Sequence, residues 1–244
     1  MKMTFNKILI LLPVFFATVV QCTAANRPDT ANPYFEINRI MGTMAGASHI
    51  SFNVAYYYEQ SDTAGLMRDT ISGIYKINGK KYYAKIDSTE IVQNDFYNVA
   101  VNKKDSVIII GRTKTVFPAV MNTDILDPTL QSSYISGIVL SDSANTRKIR
   151  FLFKNMAPYS SYELVFDTVT YRMSHLSYKL KHYGIGAGNS AHYTLISVVF
   201  SNYQTNLFTD NVFDTSIYFT RQNGSFVSVP PYSAFEIINQ VMNQ

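Results

Sequence analysis

Residues 70–86 read TISGIYKINGKKYYAKI, and this stretch decides the fold. Two segments rich in Ile, Tyr and Lys flank the pair Asn78-Gly79, which is a strong turn signal. Asn and Gly tolerate the positive φ angles that a type I′ turn requires between antiparallel strands. The stretch therefore predicts a β-hairpin with strands at 70–77 and 80–86.

The segment before this hairpin changes from a helical to a strand period. Residues 50–59 place Phe52, Val54, Tyr56 and Tyr58 on one face, which predicts a half-buried antiparallel strand. An amphipathic helix is predicted upstream, beginning at Asn32-Pro33 and ending at Gly46. Asn is a good N-cap and Pro is favoured at the first helical position. The apolar residues of this helix are Tyr34, Ile37, Ile40, Met41 and Met44.

The remainder of the chain predicts further antiparallel strands, about nine in all, with no βαβ rhythm and no fixed repeat. The continuous run at 107–110 predicts a strand covered on both faces. Residues 111–133 are predicted as loops with one short helix, and residues 134–140 fit helix or strand. A short closing helix is predicted at 232–241. Other predicted strands lie at 96–101, 149–153, 162–166, 176–180, 193–200, 213–219 and 225–229.

The N-terminus has the layout of a secretory signal peptide. Lys2 and Lys7 precede an apolar run over 8–20, and small residues follow at 23–25. The run is shorter than the roughly 20 residues of a membrane span. We therefore predict a signal peptide at 1–24, one domain at 25–244, and no transmembrane span in the mature chain.

Cys22 is the only cysteine, and it raises the alternative that the protein is a lipoprotein. Residues 19–22 resemble a bacterial lipobox, but Gln21 stands where Gly or Ala is expected, so cleavage after Ala24 is favoured over lipidation of Cys22. Cleavage after Ala24 lowers the net charge from +4 to +2, because two lysines and no acidic residue are lost. We expect no nucleic-acid partner, since such binding needs a concentrated basic patch.

The sequence has no recognisable catalytic, metal or cofactor motif. It contains no HExxH, no Cys–His ligand set and no GxSxG. The glycines of residues 184–188 follow a charged strand and open no amphipathic helix, so they predict a hairpin loop and no dinucleotide site. We therefore expect a protein that is not an enzyme, with no catalytic residue, no metal and no cofactor.

Aromatic residues are the informative part of the composition. The chain has 18 Tyr and 16 Phe, many of them on predicted strand faces. Aromatic residues favour strands in any case, so a filled core is one interpretation. The other is a curved sheet with an apolar concave face, the usual place for a ligand. The candidate cavity-lining residues are Phe52, Val54, Tyr56, Tyr58, Tyr75 and Ile77.

The second half of the chain carries a resemblance. It reads IRFLFKNMAPYSSYELVFDTVTYRMSHLSYKL at 149–180, YTLISVVFSNYQTN at 193–206 and VFDTSIYF at 212–219. With the N-terminal helix, this order resembles the periplasmic lipoprotein carriers of the LolA type and the wider LolA-like half-barrel proteins, over about residues 34–230. The Tyr-rich strands and signal peptide resemble exported proteins of the Bacteroidetes kind.

The resemblance implies a mainly β (α+β) fold: a curved antiparallel sheet or incomplete β-barrel wrapped over an N-terminal helix. It also implies an apolar cavity that holds acyl chains. No position here matches the key polar residues of the family, so its exporter partner is not carried over.

Two functional hypotheses follow. The first is a non-catalytic protein of the periplasm or outer-membrane surface that binds a lipid or a lipoprotein acyl chain in its concave sheet. The second is a structural or interaction subunit of an envelope assembly, with a filled core, no ligand and an envelope protein as partner. An empty concave face would discriminate between them.

The signal layout predicts export with loss of the first 21 to 24 residues. N-terminal sequencing of protein purified from its host should begin between residues 22 and 25. A diacylated Cys22 would instead place the protein on a membrane surface by a lipid anchor. Retention of Met1 would contradict export.

Overall fold

The computed structural model describes residues 33–62, 65–113, 133–182, 192–205 and 208–241 of the 244-residue chain. Within these ranges the structure has one α-helix, fourteen strands and a short 3-10 helix at Asp210–Phe213. The α-helix and the strands of the N-terminal half are α1 (Pro33–Ala45), β1 (Ile50–Asp62), β2 (Gly65–Asn78), β3 (Lys81–Ile86), β4 (Thr89–Gln93), β5 (Tyr97–Asn102) and β6 (Val107–Arg112). The remaining strands are β7 (Ile135–Ser143), β8 (Thr146–Phe153), β9 (Tyr159–Asp167), β10 (Met173–His182), β11 (His192–Gln204), β12 (Phe219–Gln222), β13 (Ser225–Ser228) and β14 (Glu236–Asn239).

Twelve of these strands form one curved sheet that does not close into a barrel. Its order is β14-β6-β5-β4-β3-β2-β1-β11-β10-β9-β8-β7, so β14 and β7 are the two edges. Every neighbouring pair is antiparallel except β14 and β6, which run parallel. The pairing of β1 with β11 joins two meanders, β1–β6 and β7–β11. The predicted mainly β fold with a curved antiparallel sheet is confirmed.

Helix α1 packs on the sheet face that carries Phe52 and Val54, here called the inner face. Its buried residues Ile37, Ile40 and Met44 share one apolar core with these side chains. This agrees with the predicted helix and its apolar face, while the predicted cap Asn32 lies outside the described residues. The helix follows from its spacing, because apolar residues three and four apart form one stripe.

A buried ion pair also connects α1 to the C-terminal half of the sheet. Arg147 Nη1 on β8 donates to Glu36 Oε1 at 2.7 Å, and both side chains are almost fully buried. Arg147 also donates to both carboxylate oxygens of the more exposed Asp142, at 2.6 and 2.8 Å. These carboxylates raise the pKa of Arg147. A buried charge is stable in a protein when it has an oppositely charged partner and its hydrogen bonds are satisfied. Because Glu36 is on α1 and Arg147 is on β8, this pair fixes the position of the helix on the sheet.

A second core lies on the opposite, outer face of the sheet, over strands β4–β6. It consists of Val92, Val99, Val101, Ile108 and Ile110, together with Tyr218 and Phe219 from the C-terminal segment. Tyr218 donates its hydroxyl to Glu90 at 3.0 Å, and Lys103 Nζ donates to the same carboxylate at 2.8 Å. The protein therefore has one apolar core on the inner face of the sheet, covered by α1, and another on the outer face, covered by the C-terminal segment.

The C-terminal segment corrects two predictions. The predicted helix at 232–241 is wrong, because residues 236–239 form β14 along the edge of β6. The backbone groups at this edge explain the difference: Glu236 N–H donates to Ser106 O at 3.0 Å, and Gln240 N–H donates to Ile110 O at 2.8 Å. The predicted strand at 213–219 is also wrong, since a 3-10 helix ends at Phe213 and the strand begins only at Phe219.

Two predictions about the β4–β6 region also differ from the structure. Sequence analysis missed β4, a five-residue strand that follows a tight turn at Asp87, which has a φ of 51°. The 107–110 run is not covered equally on both faces: Ile108 and Ile110 are buried, whereas Val107 and Ile109 are only half-buried. The outer-face core covers one side of the run, so its burial alternates. Of the ambiguous segment at 134–140, residues 135–140 belong to strand β7.

The β2–β3 hairpin is present, but its turn is shifted by one residue. Asn78 pairs with Lys81, so the two-residue loop is Gly79-Lys80 and Asn78 still belongs to the strand. Gly79 has a φ of +59°, while Asn78 and Lys80 are outside the positive-φ region. Gly at the first loop position is typical of a type II′ turn, which corrects the predicted type I′. Gly79 N–H also donates to Ala47 O at 3.0 Å, which ties the turn to the segment after α1.

We predict that Gly79→Val destabilises the protein by about 1 kcal/mol or more, because a β-branched residue resists positive φ. Steric crowding is not the cause, since a Cβ at position 79 would have no neighbour within 4 Å. Lys80→Val is the matched control and should change stability by less than about 0.5 kcal/mol. Urea denaturation of both variants measures the difference. Equal stability of the two would contradict the turn geometry.

Candidate functional site

The inner face carries a row of large side chains that crosses the C-terminal half of the sheet. Strand register pairs Tyr58 with Ile196, Ile196 with Tyr178, and Tyr178 with Tyr162, and the row continues to Phe151. Paired residues on neighbouring strands point to the same face. The sheet therefore brings together side chains that are far apart in sequence.

Burial divides this row into two parts. Tyr162 and Phe151 are buried in the core shared with α1. Tyr58, Ile196 and Tyr178 are only half-buried, and so is Tyr56, which precedes Tyr58 on the same face of β1. We call Tyr56, Tyr58, Tyr178 and Ile196 the tyrosine patch. It is one part of the aromatic inner face that remains partly accessible.

The tyrosine rings of the patch take part in two stacked pairs, one within the patch and one with the buried Tyr162. Tyr56 and Tyr58 have ring centroids 6.4 Å apart and an interplanar angle of 17°. Tyr178 lies 5.9 Å from Tyr162 at 20°, and Tyr159 approaches Tyr178 edge-on at 6.3 Å and 73°. Ring distances in this range are favourable for aromatic pairs. Tyr58 and Tyr178, one from each pair, lie on either side of Ile196 in the row.

The hydroxyl groups of the patch differ in their hydrogen bonding. Tyr56 and Tyr75 hydrogen-bond to each other through their hydroxyls at 3.1 Å. Tyr58 and Tyr178 have no side-chain hydrogen bond within the part of the chain that the structure describes. Burial raises the pKa of both Tyr56 and Tyr178, so these phenols stay protonated at neutral pH. The patch therefore presents apolar rings and neutral hydroxyl groups.

The structure brings all six predicted cavity-lining residues onto the inner face but separates them into two groups. Phe52, Val54, Tyr75 and Ile77 are at most 2% exposed and belong to the core under α1. The rings of Phe52 and Tyr75 are parallel within 9°, with centroids 5.4 Å apart. Tyr56 and Tyr58 belong to the half-buried patch. That these residues line a ligand cavity stays a prediction.

Sequence analysis did not include Ile196 and Tyr178 among the site residues. Both lie in correctly predicted strands, and their alternation indicated a half-buried face. Their meeting with Tyr58 depends on the β1–β11 pairing, which spans more than 130 residues of sequence. A long-range register of this kind has no local sequence signal.

A groove of about 480 Å³ lies on the outer face, away from the tyrosine patch. Its lining is mixed: the polar residues Asn53, Ser72, Lys85 and Asp87 lie beside the apolar residues Val54, Ala55 and Ile74. Gly73 lies close to β3 here, since a Cβ would come within 2.6 Å of Lys85 O. Of the six predicted cavity-lining residues, only Val54 borders this groove.

Among the residues that the structure describes, the titratable groups on the outer face do not form a catalytic arrangement that we recognise. His175 Nε2 lies 3.3 Å from Ser197 Oγ, and burial lowers the pKa of His175. The nearby carboxylate of Glu163 accepts a hydrogen bond from Arg150 Nε at 2.6 Å. Among the described residues, no group of three His, Cys, Asp or Glu side chains could hold a metal ion. No described helix is long and apolar enough to cross a membrane.

Comparison with solved structures returns chains of similar fold at low identity. A LolA superfamily protein from Nitrosomonas europaea is 11% identical, with a TM-score of 0.34, and the alignment covers 73% of this chain and 97% of that one. A putative outer membrane lipoprotein-sorting protein domain from Vibrio parahaemolyticus is 7% identical, with a TM-score of 0.31 and coverages of 73% and 95%. An uncharacterized conserved protein from Thermus thermophilus is 5% identical, with a TM-score of 0.43 and coverages of 84% and 98%.

No protein-family model matches the sequence, and no curated protein matches it either. The half-barrel architecture follows from the open sheet and its strand order.

The two groups of inner-face residues should differ in stability. Phe52→Ala removes a fully packed ring and should lower the free energy of unfolding by about 3–5 kcal/mol. Tyr58→Ala removes a half-buried ring and should cost about 1 kcal/mol. Urea denaturation with matched m-values measures both. An equal loss in the two variants would show that the patch is packed as tightly as the core.

Proposed function

We propose that this chain is an exported, non-catalytic binding protein that holds a lipid or a lipoprotein acyl chain against the inner face of its sheet. The observation that carries the proposal is the tyrosine patch, an aromatic surface left half-buried beside a fully packed core. Apolar concave surfaces with a few polar groups are the usual sites for hydrophobic ligands. Its place of action would be the periplasm or the outer-membrane surface.

The energetics require extensive burial of such a chain. Each buried CH₂ contributes about 0.8 kcal/mol, so a chain of about sixteen carbons contributes roughly 13 kcal/mol before costs. Association itself costs at least about 4 kcal/mol, which leaves an affinity near the micromolar range. Only a chain buried over most of its length would therefore bind usefully. A short apolar contact at the patch alone would be too weak.

The alternative is an interaction subunit of an envelope assembly whose apolar face is filled core. It is favoured by the tight packing of Phe52, Tyr75 and Ile77, which leaves no accessible surface at that end of the face. Its partner would be an envelope protein that covers the patch. The two functions differ in whether the patch binds a small hydrophobic molecule.

The decisive experiment measures binding of a dansyl-labelled fatty acid to the mature chain. Tyr58→Ala should weaken binding severalfold, because it removes a ring from the patch. Tyr57→Ala is the matched control: Tyr57 is the adjacent residue on the outer face, where it is 46% exposed. It should leave the affinity unchanged. Circular dichroism checks that both variants are folded.

Absence of fatty-acid binding by the unmodified chain would remove support for the carrier function and favour the interaction subunit. Equal weakening by the Tyr57 and Tyr58 variants would place the bound probe somewhere other than the inner face.

A further inference from the structure

One end of the curved sheet carries three exposed apolar side chains on two separate turns. Strands β1, β8 and β10 run toward this end and β2, β9 and β11 run away from it, so the β1–β2 and β8–β9 turns both lie there. Leu66 and Met67, just after the first turn, are 50% and 63% exposed, and Met156 in the second turn is 86% exposed. Single exposed apolar side chains are common, so the surroundings of these three decide what they mean.

A continuous row of residues joins the two turns. Strand register gives this row as Leu66, Ser61, Tyr193 and Lys181. Lys181 then contacts the β8–β9 turn, since its N–H donates to Pro158 O at 2.8 Å and its Nζ donates to Asn155 O at 3.0 Å. Asn155 is next to Met156, so the row runs from one apolar turn to the other. We call this end of the sheet, from Leu66 to Met156, the β1–β2 rim.

The rim carries more positive than negative charge. Its described side chains include four cations and two carboxylates: Arg68, Lys154, Lys179 and Lys181, and Glu59 and Asp69. Glu59 is already paired, because Arg68 Nε and the Tyr193 hydroxyl donate to its two oxygens, each at 3.2 Å. Lys179 Nζ lies 3.5 Å from the centroid of the Tyr193 ring. The described part of the rim therefore combines apolar side chains, a tyrosine and lysines.

Exposed apolar side chains at the opposite end of the sheet have different neighbours. Phe96 is 75% exposed and directly follows Asp95, and Val169 is 72% exposed and lies two residues after Asp167. Carboxylates beside these side chains would be repelled by an anionic surface. The opposite end therefore provides exposed residues of the same kind as controls.

We propose that the β1–β2 rim docks on the surface of an anionic phospholipid bilayer. Leu66, Met67 and Met156 enter the boundary between headgroups and acyl chains, and the lysines lie among the anionic headgroups. Apolar side chains, tyrosine and basic residues are the combination found where proteins meet a membrane interface. Anionic lipids also attract nearby Lys and Arg side chains, which matches the charge of this rim.

Docking in this way would also bring the inner face of the sheet to the bilayer. Met67 pairs with Gln60, which lies two residues beyond Tyr58 on the same face of β1. The inference goes beyond the proposed function, because it depends on the residues of the rim and not on any ligand of the tyrosine patch.

The test measures co-sedimentation of residues 25–244 with vesicles made of equal parts phosphatidylcholine and phosphatidylglycerol. This chain lacks Cys22, so no lipid anchor contributes. Leu66→Gln and Met156→Gln should each lower the partition coefficient about five- to tenfold, because an apolar side chain no longer enters the bilayer. Val169→Gln is the matched control at the opposite end and should leave partitioning unchanged.

The charge of the rim is tested by Lys179→Gln. It should weaken binding to the mixed vesicles about three- to fivefold and leave the weaker binding to pure phosphatidylcholine vesicles unchanged. Lys80→Gln, which removes one exposed lysine from the β2–β3 turn at the other end of the sheet, should have no effect on either. Thermal melts check that all four variants are folded.

Two outcomes would overturn the inference. One is that the unmodified chain does not sediment with the mixed vesicles, and the other is that the Leu66, Met156 and Val169 variants partition equally. Binding of the dansyl-labelled fatty acid without vesicle binding would refute membrane docking and leave the proposed function standing. Vesicle binding that depends on Leu66 and Met156, in a chain that binds no fatty acid, would support the docking surface and count against the carrier function alone.

Discussion

The pairing of β1 with β11 is the interaction on which the rest of this structure depends. Strand β1 has a neighbour from each meander, β2 on one side and β11 on the other, and β11 likewise lies between β1 and β10. Because side chains alternate along a strand, its register decides which residues of both halves share the inner face. A slip by one residue would exchange Tyr58 for Tyr57 and turn the aromatic row outward. Helix α1 then packs on a surface whose composition this register has already determined.

The two cores have different consequences for function. In the N-terminal meander the outer face is covered by the C-terminal segment, and Glu90 is satisfied there by Tyr218 and Lys103. In the centre of the sheet the inner face is covered by α1, which the Glu36–Arg147 pair holds in place. The helix buries one end of the aromatic face and leaves the tyrosine patch at the other. The binding surface that we propose thus lies where α1 does not bury the inner face.

Local patterns in the sequence were sufficient for some elements and insufficient for others. Helix α1 and strand β1 were predictable because their apolar spacing is regular and long. The hairpin turn was placed one residue early, since Asn78-Gly79 carries the turn signal while the pairing of Asn78 with Lys81 sets the register. Strand β14 was predicted as a helix because its partner, the free edge of β6, is far away in sequence. The same limit applied to the site: Tyr58 was identified from its own strand, whereas Ile196 and Tyr178 required the long-range pairing.

The parallel edge strand β14 has a consequence for the order in which the protein can form. It comes from the extreme C-terminal part of the chain, yet it completes a meander made from residues 50–112. The central strand β1 must likewise wait for β11, which is synthesised more than 130 residues later. Folds dominated by contacts between distant residues form slowly, since the entropy of closing large loops must be lost first. A partly synthesised chain therefore lacks the partners for a finished sheet, and this delay is compatible with the export that we propose, because a polypeptide crosses a translocation channel before it folds.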